Sequence, residues 1–282
     1  MYQNRGEDQM LTDSISPNTE AVKDKNGLTL SLCKAFDILN CFTPETPMLR
    51  ITDITRRVGM TQSNVSRLMN TMAAYGYVEK DEDTGCYQLG KRIITLSSVA
   101  LNHSELRRQA LPELFRLEQE FQVGANLAVL KDGEMYYLAH VDSRTSPRMY
   151  TMVGYTSPLH CTAIGKILLS AMPDAQIQAV LQEKGMKSYT YSTITSIDKM
   201  MEQVDQIRRN GYSTEYGERT HGSACIAAAI KGPSGKVIAG LSVSGRFCGL
   251  NMDEHEEETA KVVMTSAALI SNKMGYLAQT FG

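Results

Sequence analysis

Hydrophobic residues recur at helical spacing in three stretches of the first hundred positions, and each stretch ends at a proline or a glycine. The second stretch ends at Gly59, a residue that tolerates the positive φ found just past a helix. The third follows Thr61, whose hydroxyl can cap the free N–H groups of a first helical turn. These patterns predict helices at 28–42, 52–58 and 62–75.

Two short segments with strand character follow the third helix, at 77–80 and 86–89, and an acidic turn containing Gly85 separates them. Two such segments around a glycine-containing turn predict a β-hairpin. Helix, helix, tight turn, helix and hairpin in this order form a winged helix-turn-helix, which sets a helix in the major groove of DNA. The N-terminal part therefore has the pattern of a DNA-binding domain.

The rest of the chain alternates between helical and strand patterns. A helix is expected at 91–101 and another at 105–121, with Pro112 in a first turn or at a kink. Strands are predicted at 124–130, 134–141, 150–153, 211–215, 224–230 and 237–243. Further helices are predicted at 163–171, 174–183, 197–210 and 252–275. The fold class is α+β, with an antiparallel sheet in the C-terminal part.

The pattern divides the chain into four segments. Residues 1–27 are polar and have no sustained apolar period, so we expect a flexible tail. The winged helix-turn-helix occupies 28–89, a linker helix 90–103, and the larger α+β domain 104–282.

Composition is that of an ordinary globular protein, with 282 residues, 42% hydrophobic and 21% charged. The net charge of −2 argues against a polycationic nucleic-acid binder, although residues 28–102 carry eight basic and seven acidic side chains with the acids clustered at 79–83. No stretch approaches the roughly 18 apolar residues of a membrane span, and the start lacks the features of a signal peptide. Six cysteines without a CxxC pair indicate reduced thiols, so we expect a cytoplasmic protein.

Two sets of motifs resemble the IclR family of bacterial transcription regulators. The N-terminal set is Lys34-Ala35-Phe36-Asp37-Ile38-Leu39, Ile51-Thr52-Asp53-Ile54, residues 59–68, Gly76-Tyr77-Val78 and Tyr87-Gln88-Leu89-Gly90. The C-terminal set is Gly154, residues 157–166, Gly211-Tyr212, Cys225-Ile226-Ala227-Ala228-Ala229 and Leu241-Ser242-Val243-Ser244-Gly245. Together they cover about 28–275 in the expected order.

The resemblance implies a winged helix joined by a linker helix to a GAF-like domain that binds a small-molecule effector. Members of the family are dimers or dimers of dimers that act on operators near metabolic genes. We therefore expect a transcription regulator and not an enzyme. Its expected partners are palindromic double-stranded operator DNA, a second copy of the chain and a small effector, with no cofactor or metal.

Polar side chains of the third helix are the candidates for reading bases, because Arg pairs with guanine and Gln or Asn with adenine. They are Gln62, Ser63, Asn64, Ser66 and Arg67. Phosphate contacts are expected from Arg50, Arg56 and Arg57. The alternatives are a solvated helix face and, for Arg56 or Arg57, an ordinary surface charge. The acidic run at 81–83 predicts that the wing tip stays off the phosphate backbone.

The resemblance also directs attention to seven candidate effector-binding residues: Ala163, Ile164, Gly165, Glu215, Cys225, Ser242 and Ser244. Their chemistry agrees, because N–H groups in the first turn of a helix bind anions. Ser242 and Ser244 lie two apart on a strand and so share a face. These groups predict a site for a small organic acid without an arginine. Ordinary hydroxyls on a wet strand are the alternative.

A different class of function involves His160, Cys161, His221 and Cys225. These four side chains are of the types that bind zinc, and Cys225 with His221 as its base is a possible nucleophile. Core cysteines and surface histidines are the simpler interpretation of the same residues.

Overall fold

The computed structural model describes residues 27–144, 151–246 and 252–277, without the side chains of 252–254. The chain divides into an N-terminal unit that ends at His103 and a C-terminal unit that begins at Ser104. Almost all of the expected tail, Tyr150 of one expected strand, and Cys248 lie outside the described residues. Within the described part, no helix is long and apolar enough to cross a membrane.

The N-terminal unit consists of helices and one hairpin. Its elements are α1 (Leu30–Leu39), α2 (Ile51–Val58), α3 (Gln62–Ala74), β1 (Val78–Lys80), β2 (Tyr87–Leu89) and α4 (Lys91–His103). Gly59 ends α2 with φ 63°, and the Thr61 hydroxyl accepts the Asn64 N–H at the start of α3, as expected. Strands β1 and β2 pair antiparallel, which confirms the wing hairpin.

The expected bounds of the first helix were wrong at both ends. Helix α1 starts at Leu30 and stops at Leu39, after which a tight turn brings Phe42 into the core. The same helix exposes Leu32 and Phe36, each at 53%. Its apolar residues occupy two faces, and only the face with Ile38 packs against the other helices. A spacing pattern alone therefore overestimated both the length and the buried part of this helix.

The C-terminal unit contains a six-stranded sheet in the order β5-β4-β3-β8-β7-β6, and every neighbouring pair is antiparallel. Its strands are β3 (Gly124–Lys131), β4 (Glu134–Val141), β5 (Thr156–Ser157), β6 (Tyr212–Tyr216), β7 (Ser223–Lys231) and β8 (Val237–Arg246). This confirms the α+β class and the antiparallel sheet.

Helices cover both faces of this sheet. They are α5 (Glu105–Phe121), α6 (Ala163–Ser170), α7 (Asp174–Lys184), α8 (Ile197–Asn210) and α9 (Met252–Lys273). Helices α5 and α9 pack on one face through a cluster that includes Leu114 and Val263. Helices α6, α7 and α8 pack on the other through a cluster that includes Ile164 and Val204. We call this second side the α6 face.

Two expectations for the C-terminal unit need correction. Pro112 does not lie in a first turn, one of its two expected positions, because α5 starts at Glu105 behind a Ser104 cap and continues past the proline. The strand expected at 150–153 does not exist in its described positions; Thr156 and Ser157 pair instead with Tyr136 and Met135. The chain turns at Gly154, whose N–H donates to the Tyr137 carbonyl of β4, so hydrogen bonding to β4 begins at this turn and not at 150–153.

Candidate DNA interface and effector site

The N-terminal half of α3 presents a polar surface. Gln62, Ser63, Asn64 and Arg67 are exposed and Ser66 is half-buried. On the opposite side of the helix, its buried residues are Val65, Met69 and Met72. The five candidate base-reading residues thus lie on a helix that the hydrophobic core holds from behind.

The three candidate arginines are held differently. Arg50 is exposed, and the Arg56 side chain is 82% exposed with only a 3.9 Å approach to Asp53. In contrast, Arg57 Nη1 donates to the Cys41 carbonyl at 2.8 Å and to Thr46 Oγ1 at 3.0 Å. Arg57 therefore ties α2 to the turn after α1, and only part of its guanidinium is left to face a phosphate.

Hydrogen bonds within the wing turn fix the position of the Asp81 carboxylate. Asp81 Oδ1 accepts the N–H and the hydroxyl of Thr84, each at 2.8 Å, and the N–H bond is the main cause that lowers the pKa of Asp81. Glu82 lies 3.4 Å from Lys80. The carboxylate of Asp81 is thus part of the turn itself, and it stays ionised at neutral pH.

Strand pairing brings distant polar residues together on the α6 face. Ser242 lies opposite Asn126 on one side and Ala227 on the other, while Ser244 lies opposite Cys225. Glu215 in turn lies opposite Cys225. Directly opposed residues share a face of a sheet, so four strands contribute to one row of polar and thiol groups.

Hydrogen bonds connect this row to its neighbours. Asn126 Nδ2 donates to Ser244 Oγ at 2.9 Å and to Ser242 Oγ at 3.3 Å, and all three residues are at most 5% exposed. His140 Nδ1 lies 2.8 Å from Asn126 Oδ1, and His140 Nε2 lies 2.8 Å from Asp142 Oδ1. Neither Asn126 nor His140 was singled out from the sequence.

The start of α6 corrects one expectation. The Gly165 N–H donates to Thr162 Oγ1 at 3.2 Å, so it is not free for an anion. A side chain at Gly165 would stand 2.3 Å from the Leu159 carbonyl oxygen, which explains the glycine. The N–H groups of Ala163 and Ile164 have no hydrogen-bond partner among the described residues. Only these two remain as anion-binding donors.

Packing places the start of α6 on the same sheet face. The Ile164 side chain packs directly against Gly240, because a Cβ at position 240 would come within 2.5 Å of that side chain. The Ser213 hydroxyl of β6 donates to the Ala163 carbonyl at 2.6 Å. Gly240, Ser242 and Ser244 are every second residue of β8, so all three lie on one face of the sheet. Helix α6 contacts this face at Gly240, and the two serines follow along the strand.

A buried carboxylate network borders the row. Glu215 accepts hydrogen bonds from the N–H groups of Glu218 and Arg219, which lower its pKa. Burial has the larger effect and raises the pKa of Glu215. Glu218 forms a buried ion pair with Lys166, whose ammonium also donates to the Thr214 carbonyl at 2.9 Å. The network fixes the loop after β6 against α6.

Aromatic and cationic side chains near the row were also not predicted from the sequence. Burial is the main cause that raises the pKa of Tyr137, which also bonds to Ser157 and has the charge of Arg219 nearby. The Arg219 guanidinium lies 4.0 Å from the ring centre of Tyr189. The carboxylate site was expected to contain no arginine, but Arg219 lies beside it. Arg219 lies in a loop, and no periodic pattern marks it.

The two histidines of the zinc or nucleophile hypothesis make different contacts. His160 Nε2 lies 3.0 Å from the Lys187 carbonyl, whereas His221 is exposed and packs on Tyr191. Burial raises the pKa of Cys161 to about 12 and that of Cys225 well above its ordinary value, so both thiols stay protonated at neutral pH. Within the described ranges, no group of three or more His, Cys, Asp or Glu is arranged to hold a metal.

Two family models match the chain. The model described as "Bacterial transcriptional regulator IclR C-terminal" matches residues 98–272, and the model described as "IclR helix-turn-helix domain" matches residues 31–82. Among curated relatives, the HTH-type transcriptional regulator KdgR of Escherichia coli is 34% identical over 250 residues, which are 87% of this chain and 93% of that protein. The transcriptional repressor IclR of the same organism is 27% identical over 245 residues, 86% of this chain and 89% of that protein.

Solved structures agree with these matches. The Thermotoga maritima IclR structure superposes with a TM-score of 0.76 at 27% identity and covers 88% of this chain and 99% of its own. An IclR homolog from Microbacterium hydrocarbonoxydans, complexed with 4-hydroxybenzoate, has a TM-score of 0.76 at 25% identity and covers 86% and 98%. The two curated relatives are named as a regulator and a repressor of transcription, and the two solved structures are named as IclR and an IclR homolog; none of the four is named as an enzyme.

Proposed function

Because the chain belongs to the IclR family of bacterial transcriptional regulators, we propose that its operator binding responds to a small carboxylic acid held on the α6 face. The protein is a helix-turn-helix DNA-binding regulator with a C-terminal effector domain. In this proposal residues 28–89 bind DNA, the linker helix lies at 90–103, and 104–282 bind the effector.

The observation that supports the effector site is the hydrogen-bonded part of the row, which consists of Asn126, Ser242 and Ser244. Buried polar side chains are costly unless they are bonded, and a sheet face that packs helices is otherwise apolar. Two serine hydroxyls, the Ala163 and Ile164 N–H groups and the nearby Arg219 together offer donors to an anion. The 4-hydroxybenzoate bound by the Microbacterium homolog is a carboxylate of suitable chemistry.

For the operator, we propose that Gln62, Ser63 and Asn64 read bases, with Ser66 and Arg67 one turn further along. Arg50 and Arg56 meet phosphates, and Arg57 does so only with the part of its guanidinium that the α1–α2 turn does not use. We propose a palindromic operator, because the two-fold symmetry of a dimer, or of a dimer of dimers, matches two half-sites in opposite orientation. Effector binding changes the spacing of the two recognition helices through the linker helix.

The operator is tested by selecting bound fragments from the bacterium's own genomic DNA and titrating the recovered site by fluorescence anisotropy. Asn64→Ala should weaken specific binding by about 1–3 kcal/mol per lost base pair contact. Asn70→Ala, an exposed asparagine near the other end of α3, is the matched control and should leave the affinity unchanged. Equal affinities for Asn64→Ala and wild type would remove Asn64 from the interface.

The effector is tested by a thermal-shift screen of small carboxylates, since a ligand that binds only the folded state raises the melting temperature. A hit should change the affinity for the recovered operator, and Ser244→Ala should lose the response. Thr265→Ala removes an exposed hydroxyl from α9 on the opposite side of the sheet and should keep it. A hit that leaves operator affinity the same would refute the effector part of the proposal.

A further inference from the structure

Arg219 lies in the loop between β6 and β7, and both its backbone and its side chain are held in place. Its N–H donates to Glu215 Oε1 at 3.1 Å, and its guanidinium lies 4.0 Å from the ring centre of Tyr189. Two threonine hydroxyls tie the loop to the segment before α8: Thr190 donates to the Gly217 carbonyl at 2.6 Å and Thr193 to the Glu218 carbonyl at 2.7 Å. Arg219 is therefore a half-buried side chain with a defined position.

The guanidinium of Arg219 has no hydrogen-bond or ion-pair partner among the described residues. Other arginines of the same unit have a carboxylate within 4.0 Å: Arg116, Arg144 and Arg208. The carboxylates near Arg219 are occupied, because Glu218 pairs with Lys166 and Glu215 accepts backbone N–H groups. With both carboxylates ionised, Lys166 and Arg219 balance their charge. A ligand at this place is therefore recognised by the unused N–H groups of Arg219 at close range and not by a net charge.

The guanidinium lies near the start of α6. Burial raises the pKa values of Cys161 and Tyr137, and the positive charge of Arg219 acts in the opposite direction on both. Cys161 comes two positions before α6 and Tyr137 lies on β4, so the Arg219 side chain is directed toward the α6 face. The N–H groups of Ala163 and Ile164 lie in the first turn of α6. Guanidinium and backbone N–H groups only donate, so this end of the site matches a carboxylate, which only accepts.

The other end of the site contains groups that both donate and accept. Asn126 on β3 is joined to Ser244 and Ser242 on β8 by hydrogen bonds of 2.9 and 3.3 Å. Hydroxyl and amide groups can each donate and accept, and so can the hydroxyl of a ligand. Strand β7 separates β8 from β6, and two strand spacings are about 10 Å. The two ends are thus placed to contact different parts of one small molecule.

We propose that the effector is a hydroxycarboxylic acid, whose carboxylate is bound by Arg219 and the first turn of α6 and whose hydroxyl is bound by Asn126 and the two serines. This inference rests on the proposed effector site and names its ligand class. Tyr189 covers one face of the guanidinium, which leaves N–H groups at its edge for a bidentate bond to a carboxylate. A ligand that lacks either group leaves polar atoms of the site without a partner, which is costly.

The test is calorimetric titration of the full-length protein with three matched sets of probes. The first set consists of the ω-hydroxy acids from 3-hydroxypropionate to 6-hydroxyhexanoate, whose flexible chains cover a range of lengths. The second set consists of the same acids without the hydroxyl, and the third replaces each carboxylate by a neutral amide. At least one hydroxy acid should bind about tenfold more tightly than both its plain acid and its amide, because each of these loses one set of hydrogen bonds.

Two variants separate the two ends of the site. Arg219→Gln should bring the ratio of acid to amide affinity close to one and keep the preference for the hydroxyl. Ser242→Ala should reduce the preference for the hydroxyl and keep that for the acid over the amide. Arg209→Gln, at an exposed position in α8, is the control and should keep both preferences. Thermal unfolding establishes that each variant is folded.

The inference is overturned when none of the hydroxy acids binds, or when every hydroxy acid binds no more tightly than its plain acid. An acid-to-amide ratio that stays unchanged in folded Arg219→Gln overturns it as well, because a purely structural arginine would leave that ratio as it is. The wild-type titrations decide the ligand class even where a variant does not fold. The proposed function fails by a different result, namely when no carboxylate that binds the protein changes its affinity for the operator.

Discussion

At the residue scale, the C-terminal unit buries the Lys166 ammonium, on a side chain that is 1% exposed. It is satisfied by Glu218 and by the Thr214 carbonyl. The pair joins α6 to the loop after β6. A buried ion pair contributes little net stability over an apolar pair of the same shape, but a single buried charge left without its partner is costly.

Lys166→Met should therefore lower the free energy of unfolding by about 3–5 kcal/mol, because Glu218 is left buried and unpaired. Adding Glu218→Leu should recover much of that loss. Urea unfolding followed by circular dichroism gives both values. Arg108→Met, which breaks an exposed pair with Glu105, is the control and should cost at most about 1 kcal/mol. Equal losses in the single and double variants would contradict the buried-pair explanation.

Glu215 makes stability depend on pH. Burial raises its pKa above the ordinary value of 4.5, so in the window above 4.5 the folded state binds more protons than the unfolded chain. Stability from this group is present at acid pH and is lost as the pH rises through the raised pKa. Chemical unfolding at a series of pH values above 4.5 should show a steeper fall for wild type than for Glu215→Gln. Glu183→Gln, at an exposed position, should keep the wild-type slope.

Sequence patterns located some residues of the candidate site and missed others. The family resemblance pointed to Ser242 and Ser244, and the alternation along β8 placed both on one face, because a period of two is local. Asn126 and His140 carry no such mark. The hydrogen bonds of Asn126 join it to residues 116 and 118 positions away, and only the folded sheet brings them together.

At the scale of elements, α6 depends on one glycine. A Cβ at Gly165 would stand 2.3 Å from the Leu159 carbonyl oxygen and 2.4 Å from Thr162 Oγ1, which are a backbone atom and the helix cap. Neither can move without displacing the start of α6 from the sheet. The close approach therefore has a structural cause that is independent of any ligand.

Gly165→Ala should lower stability by at least the upper end of the ~1–3 kcal/mol typical of overpacking, despite the better helix propensity of alanine. Thermal unfolding measures the change. Ser170→Ala, in the last turn of the same helix, is the control and should have a small effect. A variant as stable as wild type would show that the turn before α6 adapts to a side chain.

Elements with strong periodic patterns and clear ends were predicted best. The strand at 134–141 and the helices at 105–121 and 197–210 have the predicted bounds. Strand β5 was misplaced, because two residues have no periodicity and only the partner strand β4 defines them. For the same reason the end of α1 depends on the turn that carries Phe42 into the core.

At the scale of the whole molecule, α4 carries apolar residues that the described part of the chain leaves exposed or half-buried. None of its residues is buried in the single chain. Its apolar face consists of Ile93, Ile94, Leu96, Ala100 and Leu101. A short helix without packing is marginal in water, so we expect a second copy of the chain to cover this face.

Leu96→Lys should therefore shift the protein toward monomer and weaken operator binding, because both half-sites are then no longer bound together. Light scattering after gel filtration measures the mass. Thr95→Lys adds the same charge on the polar side of α4 and should leave the assembly intact. A monomer in the wild type, or an unchanged mass in Leu96→Lys, would move the interface elsewhere.

The pairing of β3 with β8 also determines when each unit can fold. These strands are central neighbours in the sheet, yet Gly124 pairs with Ser244, which lies 120 positions further along the chain. Contacts between residues so distant in sequence slow folding, whereas the N-terminal unit uses contacts within a short span. We therefore expect the helix-turn-helix to complete its core during synthesis while most of the sheet is still unmade. On this expectation the DNA-reading surface of the regulator forms before its effector-sensing one.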